Sequence, residues 1–443
     1  MTTQLDTTSL NKTTTLSPSS WLNRPLQSKT QFALHNHLLS EVTLSSDYHP
    51  DSKHVFSKRV SCIGAATAQK SSGRCWLFAA LNMLRTSGFI EKYKLPKSFE
   101  FSQSYLFFWD KFERINYFLN VFAETKSEPL EGRLMQFLLK EPMGDGGQWQ
   151  MFVNLVEKYG LVPKSIYPET LHSSNSAGLN MVLTKKVRQY CRDIRSRNGS
   201  APTKESMLSE VFDILVQFLG KPPSQFSWEY YDKDNKFNRV PQLTPLTFYQ
   251  NVVNVSLNDY VSIIDDPRNA YHKTYGIKYL QNVQEGAPVV HLNLSIDEMS
   301  CLVKASLDAN EPVWFGCDVG QFLRSKSCVM DEKCFDFQSY LNTDFTLNKR
   351  ERLQYGESLM THAMLITGYH EDESGNISRW QIENSWGDKG PAKGFYSMTD
   401  DWMREFVYQI TIRKRYLNAQ QMASKSGPVS KTFEPWDPMG ALA

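Results

Sequence analysis

QKSSGRCWLFAALNMLRTSGF, residues 69–89, decides how this chain is read. Ser71, Ser72 and Gly73 form a turn, and the run Trp-Leu-Phe-Ala-Ala-Leu-Asn-Met-Leu then continues in residues that suit a helix until Gly88 stops it. Cys75 therefore stands at a helix N-terminus, where unsatisfied backbone N–H groups carry partial positive charge and favour a thiolate. A thiolate attacks carbonyl carbon, but it needs a base from elsewhere. Nine histidines are available, so geometry has to choose among them.

MTHAMLITGYH (360–370) and ISRWQIENSWG (377–387) flank the polar turn EDESGN and read as an antiparallel hairpin. With its midpoint near residue 373, His362 faces Asn384. An Asn opposite a His accepts its ring N–H, which fixes the tautomer and turns the other nitrogen toward the thiol. Gln69 precedes Cys75 by one short turn containing Gly73, so its amide and the Cys75 backbone N–H form a candidate oxyanion hole. Trp386 is placed to shield the His–Asn hydrogen bond from water. Each residue alone has an ordinary structural reading. Their joint order, Gln then Cys then His then Asn, argues for nucleophilic catalysis.

QKSSGRCW resembles the papain-family pattern around its nucleophile, and THAMLITGYH and ENSWG resemble its His and Asn segments in the same order. GDGG at 144–147 resembles the glycine turn lining the papain cleft, and YGLVPKSIYP (159–168) the stretch that follows. By that resemblance Gly146 and Gly147 are substrate contacts. The separation of Cys75 from His362, about 290 residues, far exceeds the roughly 130–150 of ordinary papain-like enzymes. That departure, with SQSYLFF, ESLMTHAMLITG and the terminal WDPMGALA, resembles the bleomycin hydrolase family along nearly the whole chain from residue 55.

The resemblance implies an intracellular cysteine aminopeptidase assembled as a homohexamer, with the C-terminal tail in the cleft. The carboxylate of Ala443 would hold the free amine of a peptide substrate. Bleomycin amide and homocysteine thiolactone are further implied substrates, and fungal members of the family bind nucleic acid. For this last role the chain offers a basic stretch, Lys185, Lys186, Arg188, Arg192, Arg195 and Arg197, which also reads as a solvated helix face. The alternative function is thus an oligomeric nucleic-acid-binding or regulatory protein with a secondary peptidase site.

The remaining composition narrows the class. Lys+Arg 49 against Asp+Glu 47 gives a formal net charge of +2, so overall charge draws no polyanion, and 41% hydrophobic residues supply a core. Seven cysteines at irregular spacing point to a reducing compartment rather than a disulfide framework, and Cys328 and Cys334 lack further ligands at zinc spacing. No metal and no cofactor are expected. No apolar run spans a membrane, and no secretory signal opens the chain. The expected location is cytoplasmic. The Thr- and Ser-rich residues 1–30 read as a disordered arm, with a faint likeness to an organelle transit segment that would make a mitochondrial form.

The predicted fold class is α+β, a papain-like helical half and an antiparallel sheet half with a large helical insertion. The boundaries read as an N-terminal arm at 1–54, the nucleophile half at 55–169, and a helical, oligomer-forming insertion at 170–286. The sheet half with His362 and Asn384 follows at 287–417, and the tail at 418–443.

Overall fold

The computed structural model describes residues 28–45, 48, 51–196 and 202–442, which fall into two units. The smaller comprises residues up to Tyr48 with Lys333–Thr346. Within it, helices Ser28–Asn36 and Leu39–Val42 lead to Leu44, which bridges Phe335, and the Asp336 N–H donates to the Thr43 carbonyl at 2.7 Å. Residues 1–27 of the predicted arm lie outside the described residues.

The larger unit holds Gln69, Cys75, Gly146, Gly147, His362 and Asn384. Its helical half is built around Cys75–Leu84, in which all ten residues are buried. A helix apolar on every side can satisfy that pattern only inside a core. Gln103–Glu124 and Trp149–Tyr159 pack around it, with Trp76, Phe107, Phe108 and Trp149 in one cluster. The Cys75 helix ends where Ser87 and Gly88 leave helical geometry, Gly88 at φ 96°, a backbone conformation that costs glycine little.

The sheet half centres on neighbouring strands Val407–Arg413, Val313–Cys317, His362–Glu371, Ile377–Glu383 and Phe395–Thr399, each antiparallel to the next. Val313, Phe315, Ile366, Ile382 and Trp402 form its second core cluster. The sheet is mixed rather than purely antiparallel. Tyr260–Ile264 runs parallel to Val290–Asn293, Lys431–Phe433 parallel to Lys273–Ile277, and Phe395–Thr399 parallel to Val329–Met330.

The stretch 170–286 also departs from a purely helical insertion. It contains helices Ala177–Ser196 and Lys204–Leu219, but then a hairpin, Phe226–Tyr231 with Phe237–Leu243, whose Trp228 is buried against Phe89 and Phe248. Its last part supplies Tyr260–Ile264 and Lys273–Ile277 to the large sheet. YVSII, buried at all five positions, is a short apolar run, and such a run has no periodicity to distinguish strand from helix.

Strand Val290–Asn293 carries a buried histidine, His291, whose Nδ1 meets Ser262 Oγ at 2.7 Å. Burial pulls the imidazole down to about 4, whereas the unfolded chain binds that proton near 6.5. Between those values the unfolded state holds the extra proton, so stability is full above pH 6.5 and falls as pH drops toward 4. The loss should reach roughly 3 kcal/mol for His291. Urea unfolding between pH 7 and 4 should show this decline, and His291→Gln should make it shallower.

Candidate active site

Cys75 is the first residue of its helix and is almost wholly buried. The helix packs on strand His362–Glu371, so the thiol meets the backbone N–H of Ala363, next to the candidate base. Burial pushes the thiol up to about 11, opposed by the N–H groups of Ala363, Trp76 and Cys75 itself, while the charge of Asp145 adds to the rise. Burial likewise pulls His362 down to about 4, opposed by its hydrogen bond to Asn384. Each group alone therefore favours its neutral form. Proton transfer from the thiol to a neighbouring imidazole would create opposite charges that stabilise one another in a poorly solvated site.

His362 Nε2–H donates to Asn384 Oδ1 at 2.9 Å. The same oxygen accepts the Ser385 N–H at 2.7 Å, so the Asn384 amide is itself held. Nδ1 of His362 is left as the proton acceptor. The Trp386 ring lies over the imidazole, centroids 4.9 Å apart, and is 38% exposed, so it stands between the imidazole and solvent. The hairpin frame differs from the sequence expectation. Leu365 pairs with Glu383 and Ile366 with Ile382, a displacement of two residues, with irregularities between Ile366 and Gly368 and between His370 and Glu371. A two-residue displacement leaves the side chains on the same face, and the His–Asn bond forms beyond the end of the paired segment.

Gln69 is laced to the Asn384 segment. Its N–H donates to the Ser385 carbonyl at 2.8 Å, its Oε1 accepts from Ser385 Oγ at 2.5 Å, and its Nε2 donates to the Ser72 carbonyl at 2.7 Å. An amide nitrogen has two hydrogens, so one remains for an oxyanion. Ser385 was not singled out from sequence, because a serine inside ENSWG carries no signal of its own.

Gly147 lies against the Cys75 helix. A Cβ there would stand 2.5 Å from the Trp76 ring, so only glycine fits. The Gly146 carbonyl accepts from Arg114 Nη2 at 2.8 Å, and Arg114 is in turn paired with Asp110. One residue beyond, Gln148 Nε2 donates to the Ala441 carbonyl at 2.6 Å, and Ala441 and Leu442 pack on the helical core. The tail thus reaches the glycine turn. Ala443 lies outside the described residues.

Asp145 and Lys111 were also missed. DKFER within Gln103–Glu124 has the look of a solvated helix face, yet Asp110, Lys111, Glu113 and Arg114 are all buried there. Among the described residues no group of three or more His, Cys, Asp or Glu is arranged to hold a metal ion. In the basic stretch, Lys186 pairs with Glu210, Arg192 with Asp193, Arg188 donates to the carbonyls of Leu139 and Lys140, and Arg195 to that of Glu128. Arg197 lies outside the described residues. No described helix is long and apolar enough to cross a membrane.

The chain is similar to known proteins along most of its length. The profile of the peptidase C1-like family matches residues 9–440. Bleomycin hydrolase of Rattus norvegicus is 41% identical over 445 residues, covering 95% of this chain and 97% of the relative. Aminopeptidase C of Lactococcus lactis subsp. cremoris is 43% identical over 383 residues, covering 85% and 86%. The crystal structure of PepW from Lactobacillus rhamnosis matches with a TM-score of 0.90 at 41% identity, covering 96% of this chain and 97% of that one.

Gly147→Ala tests the close approach at the turn. The added methyl must displace Trp76, so a loss of about 1–3 kcal/mol of stability is expected, together with a change in tryptophan fluorescence. Thermal unfolding and emission spectra read both.

Proposed function

The chain belongs to the peptidase C1-like family, and from that premise we propose that Cys75 is its nucleophile, His362 its acid and base, Asn384 the orienter of His362 and Gln69 an oxyanion donor. The protein is a cysteine aminopeptidase. The observation that carries the site assignment is the 2.9 Å bond from His362 Nε2 to Asn384 Oδ1, made beside a thiol that receives the Ala363 N–H.

In the proposed reaction, Cys75 passes its proton to His362 and its sulfur attacks the scissile carbonyl carbon. The oxyanion accepts hydrogen bonds from Gln69 Nε2–H and the Cys75 backbone N–H. His362 then protonates the departing amine, leaving a thioester. A water that gives its proton to His362 hydrolyses the thioester and frees the thiol. Gly146 and Gly147 contact the substrate backbone.

End selection is assigned to the tail. With Ala441 held by Gln148 beside the glycine turn, a carboxylate on Ala443 would meet the α-amino group of a peptide and direct cleavage one residue in. Bleomycin, named for the mammalian relatives, and homocysteine thiolactone are proposed further substrates. The strained thioester of the thiolactone suits an enzyme that passes through a thioester. The family reading extends to a cytoplasmic homohexamer, with a mitochondrial form if residues 1–30 act as a transit segment. Sedimentation should then show a particle of six 51.0 kDa chains. Nucleic-acid binding is the second reading, and the carboxylate and carbonyl partners of Lys186, Arg188, Arg192 and Arg195 disfavour it.

Aminoacyl aminomethylcoumarins with free and acetylated amines test the assignment. Cys75→Ala should abolish cleavage of the free-amine substrate, and Gln69→Ala should lower kcat by about 10²–10³. Removal of Ala443 should erase the preference for a free amine. Full activity in Cys75→Ala would remove the mechanism.

A further inference from the structure

Asp145 and Lys111 form an ion pair at 2.7 Å with side chains 8% and 0% exposed. Such a pair is a poor source of stability, because desolvating both charges costs about as much as their attraction returns. Its consequence must be sought in what it holds. Asp145 Oδ2 accepts the Gly73 N–H at 3.0 Å and the Ser176 hydroxyl, and Oδ1 accepts Asn180 Nδ2 at 2.7 Å as well as Lys111. The Asp145 carbonyl accepts Trp76 Nε1–H at 2.8 Å, and Lys111 Nζ also donates to the Gly144 carbonyl at 2.8 Å. Lys111 holds the carboxyl well below the usual range, against its desolvation. It is therefore an acceptor only, with every bond directed inward.

These contacts join two pieces of the site. Gly73 lies in the loop between Gln69 and Cys75, the two oxyanion donors, and Asp145 immediately precedes Gly146 and Gly147. The pieces touch, since a Cβ on Gly73 would stand 2.8 Å from the Asp145 Cβ. An oxyanion hole acts through donors already aimed at the developing charge, so rotation of the peptide at Gly73 would displace the Cys75 N–H. A misplacement of about 1 Å can cost on the order of 10²-fold in rate.

We propose that Asp145, clamped by Lys111, is a positioning residue that locks the oxyanion loop and the substrate-binding glycine turn in a single register. The proposal rests on Cys75 as nucleophile and Gln69 as oxyanion donor. Asp145 touches neither substrate nor the reacting atoms. Its positioning effect is confined to steps that build an oxyanion on a bound peptide; its charge also raises the Cys75 thiol, so removing it does not slow formation of the thiolate.

That confinement supplies the test. Iodoacetamide alkylation of Cys75 is a displacement at a saturated carbon and needs the thiolate but no oxyanion hole. In full-length Asp145→Asn, kcat for a free-amine aminoacyl aminomethylcoumarin should fall by about 30–100-fold, with a smaller rise in KM. The alkylation rate of Cys75, followed on its peptide by mass spectrometry, should not fall below about a third of the wild-type rate, since loss of the Asp145 charge favours the thiolate. Asp145→Asn/Lys111→Met removes the ammonium left without its partner. It should regain thermal stability while hydrolysis stays low, and it carries the same comparison if the single variant fails to fold. Unchanged hydrolysis, or a parallel loss of hydrolysis and alkylation in the folded variant, would overturn the proposal. Either result leaves the nucleophile assignment intact, since that falls only if Cys75→Ala remains active.

Discussion

The structure depends first on the lacing of residues 67–72 to residues 384–387. The Gln69 N–H reaches the Ser385 carbonyl and the Gly387 N–H reaches the Thr67 carbonyl, both at 2.8 Å, with the Ser385 hydroxyl on Gln69 Oε1 between them. One segment leads into the Cys75 helix and the other ends the hairpin that carries His362. The lacing therefore sets the spacing of Cys75, Asn384 and Gln69 at once. Arg85 reinforces it from below, donating to Glu383 at 2.8 Å and to the carbonyls of Ala65 and Phe99. Glu383 directly precedes Asn384, and its burial raises its pKa despite the guanidinium beside it.

The charges under the site are there for geometry rather than for stability. Lys111 with Asp145, Arg114 with Asp110 and Arg85 with Glu383 are largely removed from water. Apolar residues of similar volume would often stabilise such positions as well or better. What an apolar contact cannot do is fix direction, whereas a carboxylate accepting several N–H and O–H groups fixes each of them. The glycines complement this. At Gly73 and Gly147 the chain approaches Asp145 and Trp76 too closely for any side chain. Polar clamps aim the donors and glycines let the pieces meet.

Much of the candidate site was legible because its residues stand in local contexts that suit the roles proposed for them. Cys75 follows a Ser-Ser-Gly turn into an apolar helix, and His362 and Asn384 flank a polar turn. The hairpin frame was misjudged by two residues because the turn is centred one residue later than expected: Glu371 already pairs with Ile377, and the two irregularities farther along the strands cancel. The His–Asn pairing survived because the face repeats every second residue. The strands at 226–243 and 260–264 were hidden for different reasons. The first combines alternating aromatics with charges and Pro241, and the second is a buried run without period. Lys111 was hidden because charged residues on a long helix ordinarily face water, and Asp145 because an acidic residue in a glycine turn reads as an ordinary turn residue.

The sequence by itself determined the chemistry, because the residue types and their order admit few alternatives: a thiol at a helix start, a histidine and an asparagine on either side of one turn, and an amide just ahead of the thiol. Periodicity and turn residues are local, so they specify elements and the roles those elements can carry. Tertiary structure alone decided which far-separated groups meet. It put Ser385 on Gln69, the Ala363 N–H on Cys75, Gln148 on the tail and Lys111 on Asp145. Those pairings arise from packing between segments tens to hundreds of residues apart, and no local pattern encodes the partner of a buried polar group.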